Sequence, residues 1–224
     1  MKKKQLQILD TYNLDHNPFV SKCFDTMKKL AGHRNILSDI ENPNAPVLER
    51  NYIISLVFQM GKDAGATDFG INVFPSGETN KFISDNLNEI KSTYKDLYDK
   101  ELKPPFEVIP DMVIHSSHCP SASNGDEQYV VIEAKTTKEL GKVAFMKDFF
   151  KLNVYLCRLN YQNAIYLIVN TSKERIDKLI CHYFDNCYFV AKKRLDKILF
   201  FIQENKDDTP HAYKLKEDYI VSLK

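Results

Sequence analysis

The chain has 224 residues, with 31 Lys+Arg against 30 Asp+Glu and a formal net charge of +1. It therefore lacks the general basic footprint of a protein that coats DNA. Five cysteines without regular spacing make no disulfide framework, and no apolar run approaches the roughly 20 residues that span a bilayer. The basic start MKKKQLQILD has no apolar stretch behind it and is not read as a signal peptide. The expectation is one soluble, cytoplasmic domain over residues 1–224, long enough to bury a sizeable core.

Residues 1–15 carry no clear element. From Pro18 the apolar positions Phe19, Cys23, Met27 and Leu30 recur at helical spacing, and Gly32 supplies a stop. A second helix is predicted over 46–62, with Pro46 at a favoured first position. Its stripe is Tyr52, Ile53, Leu56 and Met60, and at about 100° per residue Glu49 falls inside that stripe. A glutamate turned towards a core usually has a partner; a first-turn glutamate also suits the helix dipole, and both readings stand. Residues 68–74 read as a strand closed by Pro75-Ser76-Gly77, with Glu78 just beyond. Residues from about 80 to 102 are polar and helix-like, with a thin stripe through Phe82, Leu87, Ile90 and Tyr94, and read as an insertion between core strands.

The informative stretch follows. FEVIPDMVIHSS and QYVVIEAKTT are two β-type runs around a segment rich in turn formers, a hairpin with a long loop. Alternation puts Tyr129, Val131, Glu133 and Lys135 on one face and Val130, Ile132 and Ala134 on the other. Charged side chains on an apolar strand are costly unless paired or bound. Pairing of the two strands lets Asp111, Glu133 and Lys135 converge. Two carboxylates suit Mg²⁺, which takes few protein ligands and keeps several waters. A lysine beside it can orient or deprotonate a water, or stabilise charge on a phosphate. His115 shares the strand face of Asp111, so it either approaches the site or is simply a histidine at the loop edge.

A helix over 138–160 carries Phe145, Phe149, Leu152, Leu156 and Leu159 as its core stripe, with Lys151 and Tyr155 one turn apart. QNAIYLIVNT reads as a strand buried in the sheet centre. Ser172 caps a helix that turns Ile176, Leu179 and Ile180 inward. Residues 187–190 read as an edge strand. The run AKKRLDKILFFIQE over 191–204 reads as an amphipathic helix, whose Lys192, Lys193 and Arg194 form a local basic patch, either a DNA contact or a solvated surface. A loop and a short final strand close the chain. The His115, His118 and Cys119 group and the Cys181, His182 and Cys187 group lack the spacing of structural zinc, and there is no G-x-x-x-x-G-K loop for an NTPase.

Pro110-Asp111, a spacer and Glu133-Ala134-Lys135 closing an apolar strand resemble the signature of the PD-(D/E)XK nuclease superfamily. The predicted order of helix, three strands, helix and strand over about 46–171 resembles its restriction-endonuclease-like core. The resemblance implies an α/β fold, α-β-β-β-α-β, with a mixed central sheet flanked by helices. To this core are added the helical insertion at about 80–102 and a helical extension over 172–224. It further implies a Mg²⁺-dependent deoxyribonuclease in which Mn²⁺ substitutes. Asp111, Glu133 and the Ala134 backbone carbonyl would hold the metal, Glu49 or Glu78 would complete the site, and Lys135 would join Asp111 and Glu133 in catalysis. A restriction-type or mobile-element endonuclease acting on DNA as a homodimer is the leading expectation. The Lys151/Tyr155 pair is similar to the Gln-x-x-x-Tyr of RecB-like exonucleases, with Lys151 in place of the glutamine, and keeps an exonuclease of repair or recombination open. In that position a lysine either contacts a phosphate or lies on the helix surface. A non-catalytic nucleic-acid- or protein-binding module on the same fold is the third reading.

Overall fold

A computed structural model describes residues 7–14, 17–31, 49–64, 69–73, 110–116, 128–185, 194–205 and 207–223. Gly32, Pro46, Glu78, the 80–102 insertion, the 187–190 strand, Lys192 and Lys193 lie outside the described residues. The described elements are β1 (Leu9–Thr11), α1 (Pro18–Leu30), α2 (Glu49–Ala64), β2 (Phe69–Val73), β3 (Met112–Ser116), β4 (Gln128–Lys135), α3 (Lys142–Arg158), β5 (Asn163–Val169), α4 (Lys173–Asp185), β6 (Ile198–Gln203), β7 (His211–Leu215) and α5 (Glu217–Ser222). From α2 to β5 they run helix, three strands, helix, strand, the order expected from the sequence.

The strands form one mixed seven-stranded sheet in the order β1-β7-β6-β5-β4-β3-β2. Strands β2, β3 and β4 make an antiparallel meander, β4, β5 and β6 run parallel, and β7 and β1 close the far edge antiparallel. Helices cover both faces, which is why β5 reads NAIYLIV and β6 ILFFIQ with no polar alternation: strands covered on both sides are apolar on both sides. Ile165, Leu167 and Val169 of β5 pack in the layer of α1 and α2, with Cys23, Met27, Tyr52 and Leu56. Ala164, Tyr166 and Ile168 pack in the layer of α3 and α4, with Phe149, Leu152, Ile176 and Ile180. Helix α1 starts where its sequence says: Asn17 Oδ1 accepts from the Phe19 and Val20 N–H groups at 3.0 and 3.1 Å, with Pro18 at the first helical position.

Four expectations are corrected. The helix expected over 191–204 is not formed by its described part, 194–204: a short 3₁₀ turn (Leu195–Lys197) leads into β6, whose six residues are all buried. The extension after residue 172 therefore contributes two strands, β6 and β7, as well as helices. Residues 9–11 are not formless, for they pair with the C-terminal β7, Leu9 opposite Leu215. Tyr129 does not share the face of Val131, because the β3–β4 register shifts between Ile114 and His115. The extra residue of a bulge turns a side chain over, and Tyr129 stacks on Phe19 of α1 with ring centroids 4.2 Å apart. Finally, α3 begins at Lys142 rather than residue 138. Glu139 adopts φ 56°, and this turn is tied to the end of β5 by Thr171, whose hydroxyl accepts from the Leu140 N–H and donates to the Thr137 carbonyl.

Candidate active site

The C-terminal ends of β4 and β5 lie side by side, Ala134 opposite Leu167 and Lys135 opposite Ile168. In open α/β sheets this end of the parallel strands is where ligands bind. The antiparallel register places Met112 opposite Ile132, so Asp111, one residue ahead, comes level with Glu133. The contact is direct: Asp111 Oδ2 accepts from the Ala134 N–H at 2.7 Å. Pro110, buried just before it, fixes φ and carries no N–H that would need a partner.

Two lysines stand among the acids. Lys135 Nζ donates to Glu49 Oε1 and Oε2 at 2.9 and 3.0 Å and to the Ala134 carbonyl at 3.0 Å, and it lies 3.3 Å from Asp148 Oδ2. It thus joins α2 and α3, which cover opposite faces of the sheet. Lys151 Nζ donates to Glu133 Oε2 at 2.5 Å and lies 3.3 Å from Asp148 Oδ1. Asp148 also accepts from the Tyr166 hydroxyl at 3.2 Å. Glu133 has no exposed surface. Its Oε1 and the Tyr155 hydroxyl are buried with no hydrogen-bond partner among the described residues.

Burial, then the neighbouring anions, set the proton affinities. Loss of water raises Glu133 well above the usual carboxylate range; Lys151 opposes this, while Asp148 and Asp111 add to it. Burial likewise raises Asp111 against its bond from Ala134, and raises Glu49 against the pull of Lys135. For the lysines burial acts the other way, but the acids outweigh it: Asp148 and Glu49 hold Lys135, and Glu133 and Asp148 hold Lys151, above the ordinary lysine value. Tyr155 is raised by burial first and then by Glu133.

Asp111, Glu133, Lys135 and the Ala134 carbonyl are brought together, and Glu49 joins them from the first turn of α2, so its inward place on the helix has a partner in Lys135. Lys151 is no surface lysine: its side chain is 7% exposed and bonded to Glu133. Tyr155 lies beside it, fully buried. Arg194 adopts φ 69° and turns inward, donating to the Leu156 and Tyr161 carbonyls at 2.8 and 2.7 Å. His115 is not at the site: it pairs with Gln128 near the other end of β4, about 13 Å along the strand from Asp111. Asp148 was missed from sequence. The signal existed, since a helical wheel puts it about 60° from Phe145, on the flank of the stripe that also holds Tyr155.

Fold and site together define an α/β protein whose mixed sheet carries a partly buried cluster of carboxylates and ammonium groups at the end of its parallel strands. No family model, no curated protein and no solved structure matches the chain. Among the described residues no three His, Cys, Asp or Glu side chains are gathered as a ready metal cage, since Lys135 and Lys151 stand between the carboxylates. No helix of the described residues is long and apolar enough to cross a membrane.

Proposed function

We propose that the chain is a Mg²⁺-dependent nuclease with a restriction-endonuclease-like core, hydrolysing DNA phosphodiester bonds at the end of β4. The single observation that carries this reading is the Asp111 Oδ2 bond to the Ala134 N–H. It ties the Pro-Asp and Glu-x-Lys segments, 23 residues apart, into one site. The donor set suits a hard divalent cation: the acids are carboxylates, and Glu133 Oε1 is a buried oxygen without a hydrogen-bond partner among the described residues. Asp111 and Glu133 would hold the ion, with the Ala134 carbonyl beside them. When bound, such an ion lowers the pKa of a water and neutralises charge on a phosphate.

The chain's own groups do the rest. Lys135, fixed by Glu49 and Asp148, presents an ammonium that can donate to a phosphate oxygen and orient the attacking water. Glu49 holds that lysine in place, and becomes a third metal ligand only by releasing it. Water adds to phosphorus and gives up a proton to solvent as the bond to the leaving sugar oxygen breaks, and that oxygen takes a proton from solvent. The restriction-type or mobile-element endonuclease, acting as a homodimer, remains the first choice within the class. The burial of Lys151 and Tyr155 beside Glu133 favours the RecB-like exonuclease as the second reading, because the two residues similar to that branch belong to the site.

The test is cleavage of supercoiled plasmid and of linear DNA with Mg²⁺, with Mn²⁺ and with EDTA, beside Glu133→Gln checked for folding by circular dichroism. Metal-dependent nicking or discrete fragments, lost in the variant, support an endonuclease; shortening of linear DNA from its ends supports the exonuclease. Absence of cleavage under every metal would overturn the nuclease reading in favour of a binding module.

A further inference from the structure

Lys151 occupies a place in the site that neither the signature residues nor the proposed chemistry uses. Its ammonium lies between Glu133 Oε2 and Asp148 Oδ1, at 2.5 and 3.3 Å, and its side chain is nearly as buried as theirs. Two carboxylates from adjoining elements, sharing one cation, are the bridge that a second divalent ion would need in a two-metal site. Among the described residues the other Glu133 oxygen, Oε1, is buried and without a hydrogen-bond partner, and so is the Tyr155 hydroxyl. The acid therefore has one oxygen taken by an ammonium and one left for something else.

Resting on the nuclease reading, we propose that Lys151 is a resident cation that fills the second cation position of this site, so that the protein takes one divalent ion and not two. Glu133 and Asp111 would hold that ion, and Lys151 supplies permanently the charge that a second ion would bring. Charge counting supports this. Four carboxylates (Glu49, Asp111, Glu133 and Asp148) face two ammonium groups (Lys135 and Lys151), which leaves two negative charges when all are ionised, the charge of one divalent ion. Lys147, half-buried on the same helix and repelled by Lys151, adds a third positive charge beside the cluster, so that a single divalent ion already leaves it net positive. A second divalent ion would then face a positive cluster with Lys151 already on the bridging oxygens. Like charges a few ångströms apart in a water-poor site repel strongly.

The experiment is a Mn²⁺ titration of the full chain, with free Mn²⁺ followed by electron paramagnetic resonance, on the wild type, Lys151→Arg and Lys151→Ala. One ion per chain is expected in the wild type and in Lys151→Arg, which keeps the cation. Two are expected in Lys151→Ala, which opens the Glu133–Asp148 bridge. Two ions in a wild type that cleaves DNA would overturn the inference and leave the nuclease reading standing. A folded Lys151→Ala that still takes a single ion would overturn it as well. No bound Mn²⁺ in the wild type would overturn the metal-dependent reading and this inference with it. Should Lys151→Ala not fold, the wild-type stoichiometry decides alone.

Discussion

Replacing Lys151 with methionine keeps most of its volume and removes the charge that Glu133 and Asp148 share. Breaking a buried ion pair from one side costs about 3–5 kcal/mol when the remaining charge has no escape. Here Glu133 has one, because it can take a proton. Neutralising a carboxyl with an ordinary pKa of about 4.3 costs about 3.7 kcal/mol at pH 7 and about 1 kcal/mol at pH 5, and those figures cap the loss. Part of the penalty exists already in the wild type, where burial raises Glu133 despite Lys151. The expected loss is therefore about 2–3 kcal/mol at pH 7 and under about 1 kcal/mol at pH 5. The sign is fixed by the raised pKa: protonation favours the folded variant, so its deficit is absent below the unfolded pKa and grows as pH rises towards the folded one. Urea unfolding of wild type and Lys151→Met at pH 5, 6 and 7 measures it. The double variant Glu133→Leu with Lys151→Met should regain most of the loss, since an apolar pair replaces a buried ion pair at little cost. A deficit below about 1 kcal/mol at pH 7, or one that does not change with pH, would refute the buried counter-ion.

Three further outcomes are expected. Asp111→Asn keeps a side-chain acceptor for the Ala134 N–H and should leave thermal stability nearly unchanged while plasmid cleavage is lost. Asp111→Ala orphans that N–H and should also lose about 1–3 kcal/mol in urea unfolding; cleavage by a folded Asp111→Asn at the wild-type rate would remove Asp111 from the chemistry. Arg194→Ala breaks two charge-assisted bonds to backbone carbonyls and should destabilise by about 2–4 kcal/mol, with DNA affinity of the folded fraction unaltered in a gel-shift assay. Cys23, fully buried, has its thiol pushed up by burial to about 12 from 9.0. Its contribution is complete below pH 9 and is lost as pH rises towards 12, by up to about 1.4 kcal/mol per pH unit. Cys23→Ala should flatten the alkaline fall in urea midpoints, and an unchanged slope would show that the thiol titrates freely.

Where the sequence held two agreeing signals, the structure follows it. The hairpin carried apolar runs and turn residues, and its register delivers Asp111 to Glu133. The α3 stripe of Phe145, Phe149, Leu152, Leu156 and Leu159 is buried throughout. The errors arose where one local signal had two physical meanings. ILFFIQ is a short apolar run that fits a strand or a helix alike, and the lysines and arginine ahead of it imitated an amphipathic face. The three residues of β1 are too few to show a period. Strict alternation misplaced Tyr129 because a bulge depends on the partner strand, which lies outside the local pattern. A lone acid on a helix is ordinarily solvated, so Asp148 does not stand out in the sequence. Its worth comes from two lysines, one contributed by another element.

The pairing of Leu9 with Leu215 has a consequence for the order in which the molecule is made. Strand β1 leaves the ribosome about 200 residues ahead of its partner and must wait for it. Until β7 arrives, β6 is the outermost strand on that side, a six-residue apolar edge with its hydrogen-bonding groups open and nothing charged along it. Such an edge is a template for a second chain. Strand β7 thus acts as a built-in guard: deleting residues from 211 onward is expected to yield chains that join through β6 before any question of catalysis arises.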